Sequence, residues 1–408
     1  MRILMINKFL HPNGGSETYL FQLGGYLESL GHEVQYFGME HPRRRVGNRE
    51  ESYTANMDFH KGSAARKLLY PIKTIYSAEA RKKIRKVLED LRPQVCHLNN
   101  FNYQLTPSVI LEIRKWEKES GQPCTIVYTA HDGQLVCPNH QMRNPTTGEN
   151  CEKCLTGGPV HCMKNRCIHQ SLPKSALGTL EAAFWKAQGV YREIDTILCC
   201  SDFMKRKLDT NPVLAERTVL LPNFVEKKPI ASSESRDYVL YFGRYSQEKG
   251  IDLLLRACQV LPEIPFVFAG SGPLESAVNS GKNVQNRGFL KGAELENLIR
   301  GARFSVCPST CYENCPFSVT ESLALSTPVL GADIGGIPEL IQPGQTGELF
   351  ESGSAEDLTE KIRTLWEHPE RTERYSENCA GANLMGLEDY ISTLLELYQH
   401  KHTRRTNQ

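Results

Sequence analysis

Two acids eight positions apart head the list of residues that could do chemistry. They sit in the segment Pro308–Glu321, which contains Glu313 and Glu321 and bridges an apolar run (304–307) and a helix-period run (317–325). A helix start leaves backbone N–H groups without intrahelical partners and presents the positive end of the dipole, so it suits a phosphate. Glu321, inside the first turns, can accept hydrogen bonds from a ribose diol. Glu313, on the preceding loop, can reach a sugar attached to the phosphates. Taken singly, each acid also has a plain reading: Glu321 as a complement to the dipole, Glu313 as a solvated loop residue. Two cations give the pair a context. Arg244 and Lys249 lie in the loop after the apolar run 238–242. Loops at the carboxyl ends of parallel strands are where open α/β sheets bind ligands, and this pair there can neutralise a diphosphate. Gly270 and Gly272, directly after the run 266–269, allow close backbone approach to a ligand or simply a tight turn.

The elements that must position these residues follow from periodicity. Short β-branched or apolar runs at 2–7, 33–37, 95–98, 125–129, 196–200 and 219–221 alternate with helix-period stretches, the first at 16–30. The rhythm restarts after a polar stretch, 225–237, with strands expected at 238–242, 266–269, 304–307 and 329–330 and helices at 251–261, 293–302, 317–325, 358–366 and 387–398. This alternation predicts two α/β units, each with a parallel sheet covered by helices. The tail 401–408 is polar and reads as frayed.

Composition limits the function classes. The 408 residues carry 48 Lys+Arg against 47 Asp+Glu, so net charge gives no reason to expect a nucleic-acid partner. A 40% hydrophobic and 23% charged chain is ordinary for a folded globular protein. No apolar run approaches the ~18 residues of a membrane helix. The apolar run at 3–6 is too short for a signal peptide, so a cytoplasmic location is expected.

The spacing of Arg244 and Lys249, the acids at 313 and 321, and the segment Pro328–Glu339 with Gly335-Gly336 together resemble family 4 retaining glycosyltransferases. Asn13-Gly14-Gly15, His131-Asp132 and Pro222-Asn223 extend the resemblance over nearly the whole chain. It implies the GT-B fold: α/β, with two Rossmann-like domains facing across a cleft. Residues 1–224 plus a returning helix at 380–400 would form the acceptor-side domain, and 225–379 the nucleotide-sugar domain. It also implies roles. Arg244 and Lys249 would bind the donor diphosphate and stabilise the leaving group. Glu321 would hold the ribose, and Glu313 would contact the transferred sugar. Backbone amides near Phe317 and Ser318 would complete the cradle, with Gly272 among the donor-binding positions. Gly14 and Gly15 would let the first domain's loop approach the donor, and His131 would sit beside the sugar. One departure is visible: Ser326 stands where members often have glycine. The implied activity is retaining, hexosyltransferase-like transfer from a nucleotide sugar to a glycan or lipid-linked acceptor in polysaccharide or glycolipid biosynthesis. No Asp-x-Asp occurs in the chain, so the fixed cations, not a catalytic metal, would answer the diphosphate charge.

Two features stand outside that frame. Five cysteines, Cys137, Cys151, Cys154, Cys162 and Cys167, fall within the poorly periodic range 133–175, which reads as an irregular insertion after a strand. Cys151, Cys154, Cys162 and Cys167 can supply four thiolates to a structural zinc, with Cys137, His140, His161 and His169 as alternates; free thiols on a loop are the other reading. Between residues 61 and 92, ten Lys/Arg stand against three acids, which suits either an anionic membrane surface, making the protein peripheral on the inner face of the cell membrane, or a solvated helix face. An epimerase or sugar phosphorylase of the same plan is the alternative enzyme. A zinc-stapled binding module would leave the Arg244, Lys249, Glu313 and Glu321 spacing unused. A dinucleotide dehydrogenase is disfavoured, because only Gly14-Gly15 follows the first strand where a G-x-G-x-x-G is needed.

Overall fold

A computed structural model describes residues 1–56, 73–226 and 236–399. Most of the polar stretch 225–237, the tail 401–408, and Lys61, Arg66 and Lys67 of the basic run lie outside the described residues. Contacts divide the chain into two units. The first comprises Met1–Cys200, Met204–Leu221 and Ser392–Gln408; the second comprises Ser201–Phe203 and Pro222–Ile391.

The first unit is built on β1 (Arg2–Ile6), β2 (Glu33–Phe37), β3 (Val95–Leu98), β4 (Thr125–Ala130), β5 (Thr196–Cys199) and β6 (Thr218–Leu220). They form one sheet in the order β2-β1-β3-β4-β5-β6, parallel throughout. β3, β4 and β5 are buried along their whole length, as strands covered on both faces must be. Helices Gly15–Ser29, Ala78–Leu91, Ser108–Ser120 and Leu172–Gln188 are the longest of this unit's complete helices. Ser77 caps the second of these, its side chain accepting from the Ala80 N–H at 3.1 Å. The helix Leu387–Gln399 returns to this unit from Ser392 onward, and Tyr398 hydroxyl lies 2.7 Å from Nδ1 of the buried His97.

The second unit repeats the plan with β7 (Val239–Arg244), β8 (Phe266–Ser271), β9 (Val284–Asn286), β10 (Phe304–Cys307), β11 (Val329–Ala332) and β12 (Gly347–Phe350). Their order is β12-β11-β10-β7-β8-β9, again all parallel. Alternation along β7 shows both faces covered. Val239 and Tyr241 join one buried cluster with Phe266, Phe268 and Phe304, while Leu240 and Phe242 join the other with Val267 and Leu298. The edge strands β9 and β12 have only three and four residues and no clear apolar pattern, so periodicity gave no sign of them.

One expectation needs correction. The range 133–175 is not uniformly irregular: it holds the single-turn helices Lys153–Gly157 and Val160–Lys164 and the start of the 17-residue helix Leu172–Gln188. The remaining turns there place His140, Met142, Arg166, His169 and Gln170 at positive φ. Of the seven described cations of the basic run, three are held in ion pairs. Arg81 pairs with Glu112, Arg85 with Glu89, Glu112 and Glu119, and Lys73 with Glu79. The Arg85 guanidinium, held by three carboxylates, offers little to a lipid phosphate.

Candidate functional site

In the second unit the chemistry gathers at the carboxyl ends of β7 and β10. β7 ends on Arg244; a single 3₁₀ turn, Gln247–Lys249, then delivers Lys249 ahead of the helix Ile251–Val260. β10 ends on Cys307 and runs into the Glu313 loop and the helix Phe317–Ala324. The two loops touch at Gly250, where φ is +72° and a Cβ would lie 1.8 Å from the Pro308 carbonyl oxygen, so only glycine fits.

Lys249 Nζ donates to Glu313 Oε1 at 2.5 Å, and Ser309 Oγ donates to the same oxygen at 2.6 Å. The Glu313 side chain is 11% exposed and that of Lys249 34%. Burial opposes the charged ammonium, but the Glu313 carboxylate outweighs it and holds Lys249 above the ordinary lysine range. Cys307 lies against the same groups. Burial first, then the Glu313 carboxylate, pushes its thiol up to about 12, while hydrogen bonding to Ser318 and Ser309 acts the other way. Lys249, Glu313, Ser309 and Ser318 therefore share one neighbourhood at the end of β10, with Ser318 on the first turn of the helix. That helix has the extended Pro316 at its N-cap and no side-chain cap. Arg244 is exposed, and its side chain makes no ion pair among the described residues. Glu321 is half-buried on the same short helix, one turn beyond Ser318.

The pairing of Lys249 with Glu313 was not foreseen; the sequence reading gave the two separate ligands. Gly335-Gly336 also acquires a reason. The Gly336 N–H donates to the Glu313 carbonyl at 2.8 Å. A Cβ on Gly336 would lie 1.8 Å from the Asn314 carbonyl oxygen, and one on Gly335 would lie 2.3 Å from that of Glu313. The glycines let the loop after β11 close against the Glu313 loop and fix it. Gly336→Ala is expected to cost about 1–3 kcal/mol of stability by forcing these backbones apart, seen as a lower melting temperature of the purified protein. Glu339, in the same segment, accepts the N–H groups of Asp202 at 2.7 Å and Phe203 at 2.6 Å, serving as a helix cap supplied from far along the chain. Gly272 packs against protein: a Cβ there would lie 2.5 Å from the Tyr245 carbonyl oxygen.

In the first unit, Gly14 is the extended N-cap of the helix that Gly15 begins. The buried Glu17 of that helix accepts from Asn7 at 2.9 Å and Ser16 at 3.0 Å. His131 follows β4 and donates from Nε2 to Asn99 Oδ1 at 2.8 Å, with the Tyr19 ring 4.9 Å away. Burial lowers its pKa to about 3, so the ring is neutral at physiological pH. Asn99 Nδ2, fully buried beside it, has no hydrogen-bond partner among the described residues.

The five cysteines of the cluster lie in one neighbourhood. Cys162 and Cys167 hydrogen-bond to each other, and the Cys137 and Cys154 thiols are close enough to raise the Cys162 pKa further. Cys151 is near enough to Cys154 to help raise that thiol's pKa, and its sulfur also accepts from Asn165 at 3.9 Å. Among the described residues, no three His, Cys, Asp or Glu side chains converge as a metal site.

Comparison with known proteins places this geometry. The profile described as Glycosyl transferases group 1 matches residues 223–381. An uncharacterised glycosyltransferase of Methanocaldococcus jannaschii is 28% identical over 190 residues, 45% of this chain and 53% of its own. The sulfoquinovosyl transferase of Arabidopsis thaliana is 33% identical over 156 residues, 37% of this chain and 29% of its own. The matches thus span about half or less of these curated relatives' length. Among solved structures, sucrose-phosphate synthase from Thermosynechococcus elongatus covers 97% of this chain and 98% of its own at TM-score 0.70 and 18% identity. Anabaena HepE, solved in complex with UDP, covers 97% and 99% at TM-score 0.65 and 16% identity. These likenesses establish the GT-B fold. The profile described as Glycosyltransferase Family 4 matches residues 13–228, more than half of the chain, and the protein belongs to that family.

Proposed function

We propose that the protein transfers a sugar from a nucleoside-diphosphate sugar to a glycan or lipid-linked acceptor, with retention at the anomeric carbon. The observation that carries this reading is the Lys249–Glu313 pair at the carboxyl end of β10, beside Ser318 on an uncapped helix start. That grouping offers a fixed cation, a first-turn helix position and a carboxylate to a ligand with a diphosphate and a hydroxylated ring. The structural relative crystallised with UDP favours a uridine nucleotide.

In this mechanism Arg244 and Lys249 take the charge that grows on the leaving diphosphate. Glu313, relieved of part of its bond to Lys249, accepts hydrogen bonds from the transferred sugar, and Glu321 accepts them from the ribose. The bond from anomeric carbon to phosphate oxygen breaks. The acceptor oxygen bonds to that carbon on the same face, and its proton passes to the departing phosphate. No protein nucleophile enters. His131 is neutral, so its part in the chemistry is that of a hydrogen-bonding group and not of a cation.

A thermal-shift screen tests the reading. UDP at a hundredfold excess over its dissociation constant stabilises the folded state by about 2.7 kcal/mol. Arg244→Ala combined with Lys249→Ala is expected to abolish that shift. An unchanged shift in the double variant, or none from any nucleoside diphosphate with wild type, would refute the assignment.

A further inference from the structure

The helix Leu172–Gln188 presents an apolar face that nothing among the described residues covers. Eight large apolar side chains are exposed in the described residues, and four of them fall between positions 160 and 184: Val160 at 37%, Leu172 at 49%, Leu180 at 60% and Phe184 at 38%. At 3.6 residues per turn, Leu172, Leu180 and Phe184 share one arc of about 120° with Ala176, Ala183 and Ala187. The opposite face anchors the helix. The Trp185 indole donates to the Ile75 carbonyl at 2.9 Å and stacks on Tyr76, and a Cβ on Gly178 would meet Ile168 at 2.3 Å. The outward leucines are therefore not needed to hold the helix in place.

The charge around this face is one-sided. From residue 153 to 188 there are five cations, Lys153, Lys164, Arg166, Lys174 and Lys186, and all are exposed. The single acid in that range, Glu181, is 2% exposed on the buried side. Burial raises its pKa to about 8, so it is largely uncharged at neutral pH. An apolar helix face set among cations, with no exposed acid between them, is complementary to an anionic lipid surface.

We propose that this face docks the first unit on an anionic bilayer: Leu172, Leu180 and Phe184 enter the headgroup–acyl boundary, and Lys186, bordering their arc, meets the lipid phosphates. The proposal sites membrane contact on this helix and not on the run 73–92, where Lys73, Arg81 and Arg85 are ion-paired. It does not depend on sugar transfer.

Vesicle flotation tests it, with phosphatidylcholine alone and with an equal mixture of phosphatidylcholine and phosphatidylglycerol. Wild type is expected to float with the mixture, weakly with phosphatidylcholine alone, and less as salt rises. Leu180→Ser with Phe184→Ser should reduce binding at least tenfold. Lys186→Glu should reduce it by about fivefold or more, from roughly 1 kcal/mol per cation near the surface. Lys82→Glu with Lys86→Glu should leave it unchanged. These are surface positions, and an unaltered melting temperature verifies the fold of each variant. No flotation of wild type, or flotation indifferent to both helix variants, overturns the proposal. So does self-association in solution that Leu180→Ser with Phe184→Ser abolishes, since a second copy would then be the occupant. The UDP melt shift is read in parallel, so loss of one result leaves the other standing.

Discussion

Lys249→Ala is expected to lower sugar transfer by about a thousandfold, and pairing it with Glu313→Ala should restore stability without restoring turnover. The geometry makes the two effects separable. Glu313 is nearly buried, and its Oε1 receives both the Lys249 ammonium and the Ser309 hydroxyl. Removing Lys249 leaves that carboxylate with one neutral donor. Breaking a fully buried pair costs about 3–5 kcal/mol; because the Lys249 side chain is a third exposed, about 1–3 kcal/mol is the fitting range here. Removing both partners discards the uncompensated charge as well, so the double variant should melt closer to wild type. Catalysis follows a different rule. Losing one preorganised charge at the leaving group costs about two to three orders of magnitude, and no second truncation returns it. The measurements are melting temperature and initial rate for the two single variants and the double. A Lys249→Ala protein with wild-type turnover would remove the cation from the mechanism.

Acidification should weaken the first unit, and individual histidines should account for separable shares of the loss. Burial lowers the pKa of His97, His131 and His140 to about 3. In the unfolded chain each titrates near its ordinary value of about 6.5. Between those values the unfolded state binds the proton and the folded state does not, so folding is favoured above pH 6.5 and progressively penalised below it. At pH 5 each histidine accounts for about 2 kcal/mol of lost stability relative to pH 8. Glu181 works in the opposite direction. Its raised pKa means the folded state holds a proton that the unfolded chain releases, so its burden grows as pH rises through the range 4.5 to 8. The total slope is therefore a difference, and substitution isolates the parts. His97→Gln keeps hydrogen-bonding capacity toward Tyr398 and Thr129 and should flatten the pH 8-to-5 loss by about 2 kcal/mol. Glu181→Gln should steepen it. Chemical denaturation at the two pH values gives both; a His97→Gln slope equal to wild type would show that the ring is protonated in the fold.

Much of the architecture could be read from the chain because its strands are covered on both faces. Runs such as 95–98 and 304–307 are wholly apolar or wholly buried and coincide with β3 and β10. The residues proposed for the donor site were visible as types and spacings, since Arg244, Lys249, Glu313 and Glu321 all follow or flank strand ends. What linear pattern does not hold is which side chains meet. Lys249 and Glu313 are 64 positions apart, and Arg85 reaches Glu112 across 27. Two partners chosen by tertiary packing leave no mark on local periodicity. The helix Leu172–Gln188 was missed for another reason. Its apolar residues serve two faces, a buried one with Trp185 and an outward one with Leu180, so no single stripe stands out.

The bond between His97 and Tyr398 has a consequence for the order of assembly. The strand bearing His97 leaves the ribosome some three hundred residues before the tyrosine that completes its surroundings. Translation at about 5–20 residues per second puts tens of seconds between them. The sheet bearing His97 therefore gains this partner only after the stretch Pro222–Ile391 of the second unit has been synthesised.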